Sequence, residues 1–313
     1  MDSVCIGVDV GGTNLRCALV TPGGVLLRRE SQATAISSGS ASFLARLLLV
    51  LNRLKGEAEA SGMRVVAAGL GVPGLISNQG VLHSSVNLLP LQGLNLARAV
   101  STGTGLPVVA LNDANASAIG EQRFGAGKPY RSSLMLTIGT GVGAGLILDG
   151  RLWTGVDGVA GEFGHITVEP NGRPCGCGNR GCLEQYVSAT AISACAAGDP
   201  RDGRSPEAAA VAARALQGNP ESAGIFEQAG SYLGIAAAGV VNLLNLEAII
   251  LGGGVARSFE LLAAPMRREI SARAFAIPGA RVRILRGELG DDAGVLGAAA
   301  TAFDTASFEK AGS

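Results

Sequence analysis

The chain has 313 residues, of which 47 are glycine, 47% are apolar and 16% are charged. This apolar content excludes an intrinsically disordered protein, and the lack of a G-X-Y period excludes a collagen-like one. Lys and Arg together number 25, as do Asp and Glu, so the totals show no basic face for nucleic acid. Six cysteines are too few for a disulfide scaffold in a chain of this length.

The N-terminal segment indicates the compartment. It carries neither a basic region nor an apolar stretch before a cleavage site, so no export signal is predicted. The longest uncharged stretch, Gln228–Leu246, is interrupted by Ser231, Asn242 and Asn245, which argues against a membrane span. We therefore predict a soluble, cytoplasmic protein with no membrane or nucleic-acid partner.

The first part of the chain predicts an antiparallel meander followed by alternating helices and strands. Short apolar runs bounded by glycine predict strands, and apolar residues at helical spacing predict helices. The predicted strands are 4–9, 15–20, 25–29, 65–72 and 107–111, and the predicted helices are 42–59, 94–101 and 112–124. The last helix begins on Asn112 and Asp113, which are good cap residues.

The same order of elements then begins again. Strands are predicted at 133–138, 143–148, 248–251 and 282–285, and helices at 189–197, 206–216, 221–244, 259–271 and 293–303. Residues 155–184 resemble a loop rich in Gly, Cys and Asn. The two strand–glycine turn–strand units lie about 130 residues apart, which is too far for a solenoid repeat. We predict two related α/β halves that face each other across a ligand cleft.

Two glycine turns are candidate phosphate sites, because backbone N–H groups at a glycine turn can converge on an anion. Residues 11–13 and 139–143 both qualify, with Thr13 and Thr140 as additional donors, and Asp9 precedes the first turn. The alternative is a pair of ordinary hairpin turns. No Walker-type motif occurs, and residues 139–144 match a dinucleotide fingerprint that would have to open a helix, where a strand is predicted.

A cluster of one histidine and three cysteines predicts a structural zinc site. Three thiols and one imidazole form a standard zinc set, and glycines between them let the chain wrap around an ion. The residues span 18 positions: His165, Cys175, Cys177 and Cys182. Unmetallated cysteines are the alternative, and a disulfide is disfavoured by spacing and odd number. Cys5, Cys17 and Cys195 lie in apolar runs and are expected in the core.

Four polar residues are candidates for a hydroxyl-binding site. A carboxylate at Asp113, after a buried strand, is placed to accept a proton from a hydroxyl group, although the Asn112–Asp113 pair also suits a helix cap. Glu162 and Glu184 flank the cysteine cluster, which would hold both carboxylates rigidly. The alternative for the two glutamates is that they are solvated loop charges.

These motifs together resemble the ROK family of sugar kinases, and within it the bacterial glucokinases. The matching segments follow the family order from residue 7 to about residue 300: Asp9–Asn14, Gly71–Gly74, Leu111–Asn115, Ile138–Gly143, Gly161–His165, Cys175–Glu184 and Leu251–Gly254. The resemblance implies an actin-like, ribonuclease-H-like α/β fold with ATP and sugar in the cleft between two lobes. The small lobe would comprise 1–117, with the C-terminal helix, about 300–313, packed on it. The large lobe would comprise 118–299 and carry the zinc knot.

The resemblance also implies a role for each matching residue. Asp113 would be the catalytic base that removes the proton of the sugar 6-hydroxyl, and Asp9 would act near Mg²⁺. The ATP-binding residues would be Gly11, Gly12, Thr13, Asn14, Gly139, Thr140, Gly141 and Gly143, with Gly252, Gly253 and Gly254 beside the adenosine. The sugar-binding residues would be Asn87, Asn112, Asp113, Glu162, His165 and Glu184, and the zinc ligands His165, Cys175, Cys177 and Cys182.

The expected activity is transfer of the ATP γ-phosphoryl group to a hexose, with glucose as the first choice. N-acetylmannosamine and N-acetylglucosamine kinases are the alternatives, and a non-catalytic sugar sensor or regulator is more remote. Related repressors carry an added helix-turn-helix, for which we predict no room before the first strand at about residue 3. A homodimer or tetramer is expected. Leu88–Leu91 departs from the usual family sequence after Asn87, which leaves the role of Asn87 open.

Overall fold

The computed structural model describes residues 2–196 and 207–311, with side chains as far as residue 307. The predicted helix ends at 197 and 206 fall outside the described residues. The strands are β1 Ser3–Val10, β2 Asn14–Val20, β3 Leu26–Ala33, β4 Arg64–Val72, β5 Leu75–Ile76, β6 Leu82–Ser84, β7 Val108–Asn112, β8 Ser133–Ile138, β9 Val142–Leu148, β10 Arg151–Trp153, β11 Ala248–Gly252 and β12 Arg283–Arg286. The helices are α1 Ser40–Ala60, α2 Leu96–Thr104, α3 Asp113–Phe124, α4 Glu184–Val187, α5 Ala189–Cys195, α6 Ala208–Leu216, α7 Pro220–Leu244, α8 Phe259–Arg273, α9 Ala276–Arg281 and α10 Ala293–Ala311.

The two main sheets have the same topology. The first has the order β3-β2-β1-β4-β7 and the second the order β10-β9-β8-β11-β12. In the first sheet β1–β3 form an antiparallel meander, while β4 and β7 add in parallel. In the second, β9 and β10 are antiparallel, and β8, β11 and β12 are parallel. The predicted repetition of an α/β half is therefore confirmed.

Two differences from the predicted elements bear on the site. Strand β10 was not predicted, because three residues are too few to show an alternating pattern. Glu184 begins a short helix, α4, where a loop was expected. By contrast, the prediction that residues 142–148 form a strand is confirmed, which excludes the dinucleotide fingerprint.

The chain divides into two compact units. The first contains Met1–Lys128, Gly145–Gly161 and Asp291–Ser313, and the second contains Pro129–Ala144 and Glu162–Gly290. Helix α3, which runs from Asp113 to Phe124, lies within the first unit. Helix α10 belongs to the first unit, where it packs on β1, β4 and α3.

The core of the first unit lies on both sides of its sheet. One face of α1 is buried through Phe43, Leu47, Leu51 and Leu54, at the i, i+4, i+8 and i+11 spacing of an amphipathic helix. On the other side α10 approaches so closely that a Cβ at Gly297 would overlap the Ala116 carbonyl of α3. Alanine and glycine on α10 thus allow close packing between helices and sheet.

We expect two glycine-to-alanine substitutions to shift stability in opposite directions. Gly297→Ala should destabilise by about 1–3 kcal/mol or more, since its Cβ overlaps backbone that cannot move without repacking the unit. Gly239→Ala should stabilise by about 0.5–1 kcal/mol, because Gly239 is an exposed α7 residue with no atom within 4 Å of an added Cβ. Denaturant unfolding measures both. Equal effects would contradict the close α10 packing.

Among the described residues, no helix has both the length and the hydropathy to cross a membrane.

Candidate active site

The first glycine turn, between β1 and β2, is held by hydrogen bonds within the turn and to Thr34. The Gly11 N–H donates to the Asn14 carbonyl at 2.8 Å, and Thr34 donates from Oγ1 to the Gly11 carbonyl at 2.6 Å and from its N–H to the Thr13 carbonyl at 2.8 Å. Thr34 is buried, whereas Gly12, Thr13 and Asn14 are exposed. The turn therefore has a fixed base and an outer edge open to a ligand. No motif marked Thr34, because it follows the end of β3, 21 residues after Thr13 in the sequence.

Asp9 lies at the foot of this turn and pairs with Arg16, its cross-strand neighbour. An Arg16 guanidinium nitrogen is 3.2 Å from Asp9 Oδ2, and Arg16 also lies 3.7 Å from Asp291. Burial raises the pKa of Asp9, the Arg16 guanidinium opposes that rise, and Asp291 adds to it. Asp9 is thus a carboxylate held in one position, and its ionised form is costly to the fold.

We expect Asp9→Asn to raise the melting temperature of the protein at pH 7 in nucleotide-free, metal-free buffer. Because the pKa of Asp9 is raised in the fold, its protonated form is favoured, and stability is lost as pH rises through that folded pKa. Asparagine removes the cost of the buried charge, so the gain should shrink as pH falls toward about 3.9, the ordinary Asp value. Asp304→Asn, at an exposed ion pair, is the control. A lower melting temperature at pH 7 would show that the Arg16 pair outweighs burial.

Two further predicted residues of the first unit lie at the start of α3. Asn112 caps α3, with its Oδ1 accepting from the N–H groups of Ala114 at 2.9 Å and Asn115 at 3.1 Å, and its Nδ2 donating to the Gly74 carbonyl at 3.1 Å. The cap expected at this position is therefore Asn112. Asp113 is the first residue of α3 and half-buried, with Oδ1 2.9 Å from the Ala114 nitrogen.

Asn87 lies beside the first glycine turn. Its side chain is exposed, and its Cβ and Cγ are 3.4 Å from the position that a Cβ on Gly12 would take. No sequence pattern indicates this contact, since 75 residues separate the two positions. Asn87 therefore borders the edge of the turn that is open to ligand.

The second glycine turn, between β8 and β9, is also braced. The Gly139 N–H donates to the Gly141 carbonyl at 2.9 Å, and its carbonyl accepts from the Ala189 N–H at 2.8 Å. The Thr190 hydroxyl donates to the Thr140 carbonyl at 2.9 Å, and the Val142 N–H donates to Glu184 Oε2 at 2.9 Å. Both turns therefore have the same design, a short hairpin loop held by neighbouring elements.

A cavity of about 650 Å³ opens beside this turn in the second unit. Its walls include Gly139, Thr140, Thr190, Phe226 and Gly254. The lining is mainly apolar with a few hydroxyl groups, which is typical of small-molecule sites. Thr190 and Phe226 were missed from the sequence because they lie on separate helices and belong to no motif.

The three glycines after β11 differ in their surroundings. A Cβ at Gly252 would overlap the Met135 side chain, and one at Gly253 would lie 2.6 Å from the Ile138 carbonyl oxygen. Gly253 also has a φ of 80°, which a residue with a side chain rarely adopts. Gly252 and Gly253 thus pack on β8, and only Gly254 of the three lines the cavity.

Glu162, His165 and Glu184 lie together near the second turn. Residues 163–165 form one turn of 3₁₀-helix, and a Cβ at Gly164 would overlap the Val142 carbonyl oxygen. His165 Nε2 is 3.8 Å from Glu162 Oε2. Partial burial raises the pKa of Glu162, His165 opposes the rise, and the Glu184 carboxylate adds to it. Glu162, His165 and Glu184, called here the polar wall, therefore lie beside the second glycine turn.

The cysteine cluster brings together four potential metal-donor atoms. Its donor atoms, His165 Nδ1 and the Sγ atoms of Cys175, Cys177 and Cys182, all lie within 4.8 Å of one another. The distance from Cys175 Sγ to His165 Nδ1 is 3.6 Å, as is that from Cys177 Sγ to Cys182 Sγ. Metal bonds of about 2.0–2.3 Å in a tetrahedron place donors roughly 3.5–3.8 Å apart. The residues present therefore fit a zinc ion.

Aromatic and hydrogen-bonded contacts attach the cluster to the helices of the second unit. The Arg173 guanidinium lies 4.8 Å from the centroid of the Tyr186 ring, which packs 4.5 Å from that of Tyr232. The Tyr232 hydroxyl donates to Glu169 Oε1 at 3.0 Å. The two ring nitrogens of His165 have different neighbours: Nδ1 lies near the Cys175 thiol and Nε2 lies near the Glu162 carboxylate. Glu162, His165 and the three cysteines thus belong to one loop that is attached to the helices of the second unit.

The three remaining cysteines were expected in the core, and two of them are there. Burial raises the pKa of the Cys5 and Cys17 thiols to about 12, as expected for unreactive core residues. The prediction for Cys195 was wrong. This residue ends α5 and is half-buried, and an Arg173 guanidinium nitrogen donates to its Sγ at 3.3 Å.

Comparison with known proteins identifies the family. A model described as the ROK family matches residues 5–305. The chain belongs to the ROK family. It is 34% identical to a glucokinase of Halalkalibacterium halodurans over 93% of this chain and 92% of that protein. It is 33% identical to a glucokinase of Thermotoga maritima over 94% of this chain and 95% of that protein.

A solved ROK structure supports the same assignment. A ROK-family glucokinase from Streptomyces griseus, determined in complex with glucose and AMPPNP, is 33% identical, with a TM-score of 0.82 over 96% of this chain and 99% of that one. The chain therefore has the actin-like ATPase fold, as the resemblance implied.

Proposed function

We propose that this ROK-family, ATP-dependent hexose kinase transfers the γ-phosphoryl group to the 6-hydroxyl of glucose, giving glucose 6-phosphate. One observation carries the proposal. The Gly139–Gly141 turn lines a cavity of about 650 Å³ and is bonded through Val142 to Glu184, which stands with Glu162 and His165. A phosphate-type turn between a nucleotide-sized cavity and a polar wall suits transfer from a nucleotide to a polyol.

We assign the nucleotide to the glycine turns. The exposed edge of the first turn and the N–H groups of the second would hold the phosphates, through Gly11, Gly12, Thr13, Asn14, Gly139, Thr140, Gly141 and Gly143. The adenosine would occupy the cavity beside Gly254. Asp9 would hold Mg²⁺ through its water shell. When bound, the ion would neutralise negative charge on the phosphates.

We assign the chemistry to Asp113. As the sugar 6-hydroxyl oxygen forms its bond to the γ-phosphorus, the bond to the ADP oxygen breaks and the hydroxyl proton passes to the Asp113 carboxylate. Asn87, Asn112, Glu162, His165 and Glu184 would bind the remaining sugar hydroxyls. Asn112 retains one amide hydrogen for this role, because its other groups cap α3 and contact Gly74.

We propose that His165, Cys175, Cys177 and Cys182 hold a structural Zn²⁺. Four protein donors leave no open coordination position, so the ion would supply rigidity and not Lewis-acid chemistry. Its ligand His165 and neighbour Glu184 are sugar-site candidates, so the ion would fix their positions. On the family resemblance alone, we also propose a cytoplasmic homodimer or tetramer.

A sugar panel tests the function. We expect kcat/KM with ATP to be highest for glucose among glucose, N-acetylmannosamine, N-acetylglucosamine, allose and fructose, measured by coupled ADP release. A higher value for an N-acetyl sugar would reassign the substrate within the family, since pocket geometry decides such differences. ATP binding without turnover on any of the five would instead support a non-catalytic sugar sensor.

A further inference from the structure

One carboxylate, that of Glu184, connects the polar wall to the second glycine turn. Glu184 Oε2 accepts the N–H of Val142 at 2.9 Å, directly after the glycines of the turn. A Cβ at Gly141 would overlap that same oxygen. The glycine at this position therefore leaves room for the Glu184 carboxylate.

The backbone of Glu184 is itself held in place. Glu184 begins α4, two residues after the cluster residue Cys182. The preceding Leu183 N–H donates to the Ile166 carbonyl at 2.9 Å, and the following Gln185 carbonyl accepts from the Arg173 guanidinium at 2.8 Å. Because Leu183 and Gln185 are both hydrogen-bonded, the backbone of Glu184 is fixed, and its carboxylate can orient the second glycine turn.

The other side of the turn is packed against the same wall. Gly164, in the 3₁₀ turn that carries His165, lies so close to the Val142 carbonyl that a Cβ would overlap it. The N–H of Val142 is thus held by Glu184 and its carbonyl is covered by the segment next to Glu162. Glycine-rich turns have high conformational freedom. The contacts with Glu184 and Gly164 therefore determine the direction of the N–H groups in the second glycine turn.

We propose that Glu184 is a positioning residue for the nucleotide: through Oε2 it keeps the second phosphate turn in its binding shape, even when no sugar is present. The remaining oxygen, Oε1, is the one available to a sugar hydroxyl, a role that rests on the proposed function. Nucleotide affinity therefore depends on a residue of the sugar wall.

The test measures nucleotide binding without sugar. We expect Glu184→Ala to weaken binding of AMPPNP in sugar-free calorimetry by about fivefold or more, as expected for the loss of a charge-assisted hydrogen bond. Glu184→Gln should recover most of this affinity, since its amide oxygen can still accept the Val142 N–H. A residue that served only as a sugar ligand would leave sugar-free affinity unchanged.

Glu162→Ala is the matched control. Glu162 is a carboxylate of the same wall, with no bond to the turn among the contacts described. We expect this variant to weaken sugar use and to keep AMPPNP affinity within twofold of the parent. Parent-like AMPPNP binding by Glu184→Ala, or equal losses in Glu184→Ala and Glu162→Ala, would overturn the proposal.

A second variant leaves the carboxylate chemically intact. Gly141→Ala should weaken AMPPNP binding by displacing Glu184, and the double variant Gly141→Ala/Glu184→Ala should lose little more than either single one. Additive losses would mean that the two residues act separately and would overturn the proposal. Metal content and melting temperature verify each variant. The failure of every sugar as substrate would refute the proposed function without affecting these sugar-free measurements.

Discussion

Asp113→Asn is expected to lower kcat by about 10²–10⁴-fold, the range that a positioned base typically contributes. Asparagine cannot take the proton of the attacking hydroxyl, so the remaining rate would come from positioning and phosphate neutralisation alone. The substitution should preserve the fold, because Asp113 is the first residue of α3 and an amide oxygen can still accept the Ala114 N–H. Coupled ADP release measures the rate, and calorimetry with glucose measures retained binding.

A matched carboxylate outside the site controls for the loss of negative charge. Asp304 is a half-exposed residue of α10, paired with Arg123, in the same unit as Asp113. Surface ion pairs contribute only about 0–1 kcal/mol, so Asp304→Asn should leave kcat near that of the parent. If Asp113→Asn kept turnover within a few-fold of the parent, Asp113 would not be the base.

Loss of one cysteine of the cluster is expected to remove the metal and to weaken sugar binding. Purified protein should contain about one zinc per chain, as a closed four-ligand site requires. Cys177→Ser should lower zinc affinity by more than the 10–100-fold typical of changes to residues behind the ligands. Cys177 is exposed, so the side chain itself contributes little to the core. We expect a higher KM for sugar, because His165 and the loop before Glu184 would no longer be held.

Cys195→Ser is the control for this experiment. Cys195 lies in the same unit and contacts Arg173, but it is outside the donor cluster. The variant should retain about one zinc per chain, measured by elemental analysis, and the parent KM for sugar. A Cys177→Ser protein that is metal-free and fully active would refute a structural zinc site in this enzyme.

The parts of the fold that could be predicted were those determined by local chemistry. Apolar periodicity placed β8 at Ser133–Ile138 to the residue, and the cap residue Asn112 correctly marked the start of α3. Short elements failed, because β10 and α4 have three and four residues and are formed by neighbours more than by their own pattern. The repeated strand–turn–strand order predicted two related α/β halves, and the structure shows two main sheets with corresponding strand orders.

The candidate site divides in the same way. The sequence by itself determined which side chains form the donor cluster: His165, Cys175, Cys177 and Cys182. Residues that are close in sequence and separated by glycines can approach one another without contacts from the rest of the fold. It also determined the two glycine turns, since their shape depends on residues that are adjacent in the chain.

Only the tertiary structure decided which distant groups these local motifs meet. It placed Asn87 against the first turn, Arg16 on Asp9, and Glu184 on the N–H of Val142. It also gathered separate helices around the cavity beside Thr140. Such contacts depend on strand register and on the close packing that alanine and glycine permit, which no local pattern encodes. The sequence therefore determined the binding elements, and the packing of the fold determined how those elements are oriented and coupled.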